Sequence, residues 1–342
     1  MTDDRPILAL IPGDPTGIGP ELTARILAEG KLADVARFVV VGDRRVLERG
    51  ARFAGVSLEI ADVASPAAAR FDGPVQLVDP GNMDPDALPL GEANAEAGRL
   101  TGETLARAIE FARAGEVEAI TFAPLNKRAL YDGGWRFPDE HKMFAHLLGH
   151  TGQFSEMNVL DGLWMTRVTS HVALREALDQ ITEARIVDAL HLADRTMKGA
   201  GIDAPRIAVA ALNPHGGEGG LFGREEIDII APAVERARAE GIDCRGPFPS
   251  DTVYLKAFRG EVDSVLAMYH DQGQIATKVR GFMKGVTITA GLDTVFTTPA
   301  HGTAYDIVGQ GTADTGATEA AIRLSARLAA RRRAEALEPQ GM

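Results

Sequence analysis

The sequence predicts an α/β fold built on a mostly parallel sheet. Two observations carry this prediction: short apolar runs of strand composition alternate with longer segments of helical periodicity, and three of the apolar runs end at a histidine. Alternating strands and helices are typical of parallel sheets, whose ligands bind at the carboxyl ends of the strands. With 342 residues, 45% of them hydrophobic and 25% charged, the chain is globular in composition and long enough for two domains.

The first half of the chain follows this alternation closely. Strands are predicted at 7–11, 37–42, 75–78 and 117–122, and a long helix at 92–114. The strand at 117–122 leads directly into Lys127, whose ammonium group is either a site residue or a solvated side chain. The alternation breaks at 131–145, where a loop-like stretch leads to a helix that starts near Asp139. We therefore expect the first domain boundary here.

A glycine-rich loop follows the first strand and leads into a helix. Its three glycines are Gly13, Gly17 and Gly19, and Asp14 lies between them. Pro20 suits the first turn of a helix, where its missing N–H would have no partner anyway. Glycines let a backbone approach a ligand closely, so the loop is a candidate binding element. The alternative is a tight turn between strand and helix with no ligand.

The second half contains the three apolar runs that end at histidines. Its predicted strands lie at 164–170, 206–212, 265–268 and 285–290, and its predicted helices at 182–199, 221–240 and 317–332. The first three strands run into His171, His215 and His270, so parallel packing would bring these imidazoles to one sheet edge and allow them to bind one metal ion. The alternative is three independent histidines, because separations of 44 and 55 residues match no local metal-binding motif.

Charge and composition exclude several classes of protein. A net charge of −12 argues against a general binder of nucleic acid or anionic membranes. Cys244 is the single cysteine, so the chain cannot form an internal disulfide. The polar N-terminus lacks a signal-peptide pattern, and no apolar run approaches membrane-spanning length. We expect a cytoplasmic protein.

Seven segments together resemble one known family over nearly the whole chain. They are GDPTGIGPE at 13–21, APLNK at 123–127, TSH at 169–171, NPHGGEGG at 213–220, PSDT at 249–252, YHDQG at 269–273 and HGTAYDIVGQGTAD at 301–314. The chain resembles the 4-hydroxythreonine-4-phosphate dehydrogenase family of vitamin B6 biosynthesis. Its first and last segments are also similar to those of isopropylmalate and isocitrate dehydrogenases, which share the fold.

The resemblance implies a two-domain isocitrate/isopropylmalate dehydrogenase-like fold, with mostly parallel sheets, flanking helices and the active site in the interdomain cleft. Residues 1–130 and 291–342 would then bind the cofactor, and residues 131–290 would carry the metal and substrate site and the dimer contact. The family is homodimeric, and one metal ligand comes from the partner subunit. We accordingly expect a homodimer with its active site at the interface.

The resemblance also implies NAD and a divalent metal as cofactors. The implied NAD-binding residues are Gly13, Asp14, Gly17, Gly19, His301, Gly302, Thr303, Ala304 and Asp306. An acidic residue at the position of Asp306 goes with NAD, because a carboxylate accepts hydrogen bonds from the ribose hydroxyls but repels a 2′-phosphate. The implied metal ligands are His171, His215 and His270. Imidazole ligation favours zinc, with manganese, magnesium and cobalt as alternatives.

The implied catalytic and substrate-binding residues include three departures from the family pattern. The candidate proton acceptor is Lys278, or a water held by Asp251 or Asp271. Lys278 also matches a substrate-contacting lysine. The family's His-Thr substrate pair is His141-Lys142 here, its substrate-binding Asn is Thr287 and its Arg is Phe296. Loss of that arginine removes a bidentate clamp for phosphate or carboxylate, which Lys142 restores only as a point charge.

The expected activity is NAD- and metal-dependent oxidation of a hydroxy acid, with decarboxylation to follow. The leading substrate is 4-hydroxythreonine 4-phosphate, or a related phosphorylated four-carbon acid such as phosphothreonate or phosphoerythronate. The departures at Thr287 and Phe296 favour an alternative, an unphosphorylated diol acid such as a dihydrodiol of aromatic degradation. More distant alternatives are an acyl-phosphate transferase of similar fold and a non-catalytic sugar-acid binding protein.

Overall fold

The computed structural model describes residues 3–281 and 284–337, and within them the chain forms twelve strands and eleven α-helices. The strands are β1 (Ile7–Ile11), β2 (Arg37–Val41), β3 (Ile60–Asp62), β4 (Val75–Val78), β5 (Ala119–Phe122), β6 (Ser155–Leu160), β7 (Leu163–Arg167), β8 (Ile207–Ala210), β9 (Cys244–Phe248), β10 (Ser264–Ala267), β11 (Val286–Ala290) and β12 (Val295–Pro299). The helices are α1 (Gly19–Glu29), α2 (Arg44–Ala54), α3 (Ala95–Arg113), α4 (Lys127–Asp132), α5 (Glu140–Leu148), α6 (Leu174–Gln180), α7 (Glu183–Gly199), α8 (Ala231–Ala239), α9 (Ser250–Phe258), α10 (His270–Gly281) and α11 (Gly316–Leu337). No helix within the described ranges is long and apolar enough to cross a membrane.

The chain divides into two compact units, and the first comprises Met1–Thr151 and Leu292–Met342. Its strands follow the order β3-β4-β2-β1-β5-β12, and each neighbouring pair is parallel. Consecutive residues of β1, Leu8, Ala9 and Leu10, are all fully buried. Burial on both faces is what produces an unbroken apolar run in a parallel strand.

The second unit comprises Gly152–Gly291. Its strands follow the order β11-β6-β7-β10-β8-β9. The pairs β7–β10, β10–β8 and β8–β9 are parallel, whereas β6 is antiparallel to both of its neighbours. The predicted α/β fold with mostly parallel strands is therefore confirmed. The three strands that precede the candidate metal histidines, β7, β10 and β8, lie side by side.

The boundary between the units differs from the one expected near residue 131. Residues 131–151 belong to the first unit because α5 packs against the sheet of that unit. Phe144 of α5 stacks on Phe296 of β12 at 4.2 Å between ring centroids and meets Phe122 of β5 edge-on at 5.4 Å. All three side chains are almost completely buried. Which unit binds which ligand stays a prediction.

Several elements of the second unit were not anticipated, β6 and α9 among them. Strand β6 is half polar in sequence, and Asp161-Gly162, with φ of 49° and 86°, turns it back into β7. Asp-Gly between two strands is a strong hairpin signal that could have located β6. Helix α9 begins at Ser250, shortly after β9, so the candidate residue Asp251 lies in the first turn of a helix.

Replacing Phe144 by Ala should lower the free energy of unfolding by about 3–5 kcal/mol, because the cavity would remove contacts with two other buried aromatic rings. Denaturant unfolding followed by circular dichroism measures this change. Glu110→Ala, on the exposed face of α3, is the control and should change it by no more than about 0.5 kcal/mol. An unchanged unfolding midpoint for Phe144→Ala would contradict the placement of α5 in the core of the first unit.

Candidate active site

Two of the candidate metal histidines meet at the ends of β7 and β10. The segments that follow these strands are joined by hydrogen bonds from Val168 N to the Ala267 carbonyl (2.9 Å) and from Thr169 Oγ1 to the Met268 carbonyl (2.9 Å). The imidazoles of His171 and His270 consequently lie 5.5 Å apart between ring centroids. Both rings are partly exposed, with 28% and 35% of the side-chain surface accessible. They line one wall of a pocket at this sheet edge.

The side-chain amide of Gln272 joins three segments next to these histidines. The side-chain oxygen of Gln272 accepts a hydrogen bond from Met268 N at 2.7 Å, which fixes the backbone before α10. Its amide nitrogen donates to the carbonyl of Ala211 (2.7 Å), just beyond β8, and to Ser250 Oγ (2.8 Å) at the start of α9. The ends of β10 and β8 and the start of α9 are thus held together by one side chain.

His215 lies on an unusual loop after β8. Residues 215–219 all have left-handed backbone dihedrals, and His215 itself has φ of 54°. Such conformations cost energy for residues other than glycine and persist only where the surroundings enforce them. The buried carboxylate of Glu226 anchors the chain just before this loop, since it accepts hydrogen bonds from Leu212 N (2.8 Å) and Asn213 N (2.7 Å). Burial alone would raise the pKa of Glu226, but these donors outweigh it and lower the pKa.

The imidazoles fit a metal site only in part within one chain. His171, like His215, has φ of 54°, and strained backbone of this kind is common at functional sites. His270 Nδ1 lies 2.6 Å from Asp271 Oδ1, which orients its ring. A zinc site needs at least three protein ligands. Among the described residues, no group of three His, Cys, Asp or Glu side chains is arranged to hold a metal ion. The structure therefore brings together two of the three predicted ligands.

The three candidates for proton transfer have different surroundings. The carboxylate of Asp271 is engaged by His270. Asp251 is exposed in the first turn of α9, immediately after Ser250. Lys278 lies on α10 two turns beyond His270. About 12 Å along the helix axis separates the Cα atoms of these two residues.

The glycines of the loop after β1 serve close packing within the protein. A Cβ atom at Gly13 would lie 2.5 Å from the Ala123 carbonyl oxygen, and one at Gly19 would lie 2.1 Å from that of Pro12. At Gly17 it would meet Thr303 at 2.9 Å. These contacts explain why the positions need glycine without invoking a ligand. They also bring the loop against the segment around Thr303, so the two predicted cofactor motifs are adjacent.

A hydrogen bond between Asp14 and Tyr305 links the glycine-rich loop after β1 to the 301–306 segment. The Tyr305 hydroxyl donates to Asp14 Oδ2 at 2.6 Å, and Asp14 Oδ1 accepts from Thr16 N and Thr16 Oγ1. Burial, reinforced by the Asp14 carboxylate, raises the pKa of Tyr305 to about 12, so the hydroxyl remains protonated as the donor. Asp14 is only 3% exposed, so its carboxylate has little access to solvent and accepts the Tyr305 hydrogen bond instead.

The predicted cofactor residues of the 301–306 segment differ in exposure. His301 is buried, its Nδ1 lies 3.1 Å from the Gly302 carbonyl oxygen, and its Nε2 has no hydrogen-bond partner within the described part of the chain. Ala304 has a left-handed backbone with φ of 43°. Asp306 is exposed, so its carboxylate can accept hydrogen bonds from a ligand. Gly302 is exposed and Thr303 is buried.

The candidate substrate residues lie in two environments. In the first unit, His141 is buried and Lys142 is exposed in the first turn of α5, where the neighbouring Glu140 is paired with Lys127 at 3.0 Å. Phe296 is fully buried in an aromatic stack and therefore belongs to the apolar core. In the second unit, Thr287 is 7% exposed and its hydroxyl accepts from Asn158 Nδ2 at 3.0 Å.

Sequence reasoning missed a buried polar cluster beside His171. It consists of Glu156 and Asn158 on β6 and Arg167 at the end of β7. Arg167 is 5% exposed and donates to the side-chain oxygen of Asn158. Recognition of the Asp161-Gly162 hairpin would have placed Glu156 and Asn158 on the strand that neighbours β7.

Comparisons with known proteins agree on one family. A profile of the pyridoxal phosphate biosynthetic protein PdxA family matches residues 34–325. A protein of Rhizobium meliloti, provisionally named 4-hydroxythreonine-4-phosphate dehydrogenase 2, is 47% identical over 332 residues, which are 96% of this chain and 95% of that protein. D-threonate 4-phosphate dehydrogenase of Cupriavidus necator is 42% identical over 97% of this chain and 100% of that protein.

Solved structures give the same result. The crystal structure of a 4-hydroxythreonine-4-phosphate dehydrogenase from Klebsiella pneumoniae matches 95% of this chain and 99% of its own, with a TM-score of 0.81 and 41% identity. A terephthalate 1,2-cis-dihydrodiol dehydrogenase from Burkholderia xenovorans matches 94% of this chain and 98% of its own, with a TM-score of 0.66 and 31% identity. The chain therefore belongs to the PdxA family and is an enzyme of the 4-hydroxythreonine-4-phosphate dehydrogenase type.

Proposed function

We propose that this enzyme uses NAD and a divalent metal ion to oxidise a phosphorylated four-carbon hydroxy acid, namely 4-hydroxythreonine 4-phosphate or a close relative such as phosphothreonate. The observation that carries the proposal is the pair of imidazoles of His171 and His270, 5.5 Å apart at the ends of adjacent parallel strands in a PdxA-family chain. The names of the relatives support a phosphorylated substrate and a dehydrogenase rather than an acyl-phosphate transferase.

The proposed metal ligands are His171, His215 and His270, with at least one of them supplied by a second copy of the chain. Zinc is the ion we propose, because a set of neutral imidazoles suits it better than a hard ion such as magnesium. Such an ion would act as a Lewis acid toward the substrate hydroxyl and lower its pKa. The ring of His270 would be oriented by Asp271 and its backbone by Gln272.

The proposed homodimer has support from the surface of the second unit. Eight of the eleven large apolar side chains that the structure describes as exposed belong to this unit. They are Leu174, Leu178, Leu221, Phe222, Ile227, Leu255, Ile275 and Val279. Where such side chains form a contiguous patch, they mark a protein interface. Several follow closely after the candidate metal histidines in the sequence, as expected if a partner chain completes the metal site.

The proposed NAD site uses the two adjacent motifs of the first unit. The bond from Ile18 N to the Thr303 carbonyl oxygen (3.1 Å) and the Tyr305–Asp14 bond hold the 301–306 segment against the start of α1. Asp306 would accept hydrogen bonds from the ribose hydroxyls, and the unpartnered Nε2 of His301 would meet the cofactor. NAD supplies the hydride acceptor.

The proposed proton acceptor is Lys278, or a water held by Asp251. Asp271 is the weaker candidate because its carboxylate already pairs with His270. A positioned base is needed because oxidation of a secondary alcohol releases its hydroxyl proton as the hydride leaves. Where the oxidised carbon is β to a carboxylate, the resulting β-keto acid can lose carbon dioxide. We include that decarboxylation in the proposal.

A second candidate function is the same oxidation of an unphosphorylated diol acid. The observation that favours it is Phe296, which stands at the position of the family's substrate-binding arginine and is stacked in the core on Phe144. No guanidinium at that position can then clamp a phosphate. The terephthalate dihydrodiol dehydrogenase similar to this chain is named for a substrate of this unphosphorylated kind. By contrast, the exposed ammonium group of Lys142 favours a phosphorylated substrate, because it can supply a positive charge to the phosphate.

Replacing His215 by Ala should weaken metal binding roughly 100-fold or more and abolish NADH formation, because an imidazole ligand would be lost. Equilibrium dialysis with zinc and an NADH absorbance assay measure both effects. The control is His191→Ala, since His191 lies on α7, pairs with Glu240 and is remote from the strand ends. Full activity of the His215 variant would contradict its role as a metal ligand.

Replacing Asp306 by Asn should shift the preference from NAD toward NADP by about tenfold in the ratio of kcat/KM values, because the charge that repels a 2′-phosphate is removed. Steady-state kinetics with each cofactor give this ratio. Asp34→Asn, which removes an exposed carboxylate elsewhere in the first unit, should leave it unchanged. An unaltered ratio in the Asp306 variant would rule out contact with the ribose.

A further inference from the structure

Glu156 lies between a candidate metal ligand and a buried cation. Its Oε2 atom is 3.6 Å from His171 Nε2, and its Oε1 atom is 3.4 Å from Arg167 Nη2. The Glu156 side chain is 11% exposed and that of Arg167 is 4% exposed. A carboxylate in such a position is fixed, because moving it away would leave a buried guanidinium without its counter-charge.

Besides His171 and Arg167, the side chain of Asn158 also contacts the Glu156 carboxylate. Asn158 Nδ2 lies 3.3 Å from Glu156 Oε1 and 3.0 Å from the hydroxyl of Thr287, while the Asn158 oxygen accepts from Arg167. These groups come from three adjacent strands, β11, β6 and β7, so the sheet itself sets their spacing. The oxygen that faces His171 therefore has a defined position.

We propose that Glu156 is a positioning residue that fixes the ring of His171 for metal binding. Histidines that bind metals commonly donate their other ring N–H to a carboxylate, which sets the ring orientation and makes the ligand more basic. His270 also has a carboxylate beside its ring, with Asp271 Oδ1 2.6 Å from its Nδ1. Each of the two neighbouring imidazoles thus has a carboxylate beside one ring nitrogen, which leaves the other nitrogen for the ion.

The inference rests on the proposed function, in which His171 is a metal ligand. It adds a residue outside the motifs by which the chain resembles its family, since Glu156 lies on a strand that carries none of them. The competing explanation is purely structural, with Glu156 serving only as the counter-charge of Arg167. A test must therefore follow metal binding and the stability of the fold separately.

The test is a titration of the full-length, metal-free protein with Co²⁺, whose visible absorption reports the geometry of its ligands. Glu156→Gln should bind Co²⁺ about 10–100-fold more weakly than the wild type and give an altered spectrum. Glu156→Asp keeps the charge opposite Arg167 but shortens the reach to His171, so it should show the same loss of affinity while retaining more of the stability. Thermal unfolding of each metal-free variant measures that stability.

The matched control is Asp263→Asn. Asp263 is another carboxylate of the second unit that pairs with an arginine, Arg206, at 2.9 Å, and it precedes β10 at the opposite end from His270. This variant should lose stability without losing Co²⁺ affinity. Wild-type affinity, within twofold, and an unchanged spectrum in either folded Glu156 variant would overturn the inference. Failure of the wild type itself to bind Co²⁺ would overturn the proposed metal dependence, and the inference with it.

Discussion

Hydrogen bonds between the ends of β7, β8 and β10 are the constraint on which the candidate metal site depends. Parallel pairing places the three strand ends at one edge, and the bond from Thr169 to the Met268 carbonyl joins two of them directly. Gln272 then connects the third. Without these links, histidines separated by 44 and 55 residues would have no reason to meet. With them, His171 and His270 approach each other in a single chain.

Much of the fold could be predicted because buried parallel strands leave an unambiguous apolar run. The strands at 7–11, 75–78 and 286–290 match the prediction to within a residue. The elements and boundaries that were not predicted have physical causes. Strand β6 is half polar because it carries Glu156 and Asn158, so its composition does not identify it as a strand. The first unit extends past the boundary expected near residue 131, because the loop there interrupts the alternation of strands and helices without ending the core, which continues through Phe144.

The site was predicted unevenly for related reasons. Candidate ligand residues at strand ends can be proposed from sequence, since the strand locates them. The polar side chains around them cannot, because Glu156, Arg167 and Glu226 meet their partners, which lie 11 to 14 residues away in the chain, only once the hairpin and the loop have formed. The glycines after β1 have a second explanation that only the structure provides. Their pattern suggested a ligand, yet Gly13 and Gly19 satisfy close contacts with the protein's own backbone. Phe296 likewise takes the position of a substrate-binding residue but lies in the core.

The most direct test of the account is NADH formation by the zinc-loaded enzyme with a panel of hydroxy acids, each with and without a chelator. The panel pairs 4-hydroxythreonine 4-phosphate, phosphothreonate and phosphoerythronate with their unphosphorylated forms, and includes an aromatic dihydrodiol acid. We expect chelator-sensitive turnover of a phosphorylated acid. Chelator-sensitive turnover of unphosphorylated acids alone would establish the second candidate instead. Turnover that survives removal of the metal, or no NAD reduction with any of these acids, would contradict the central claim.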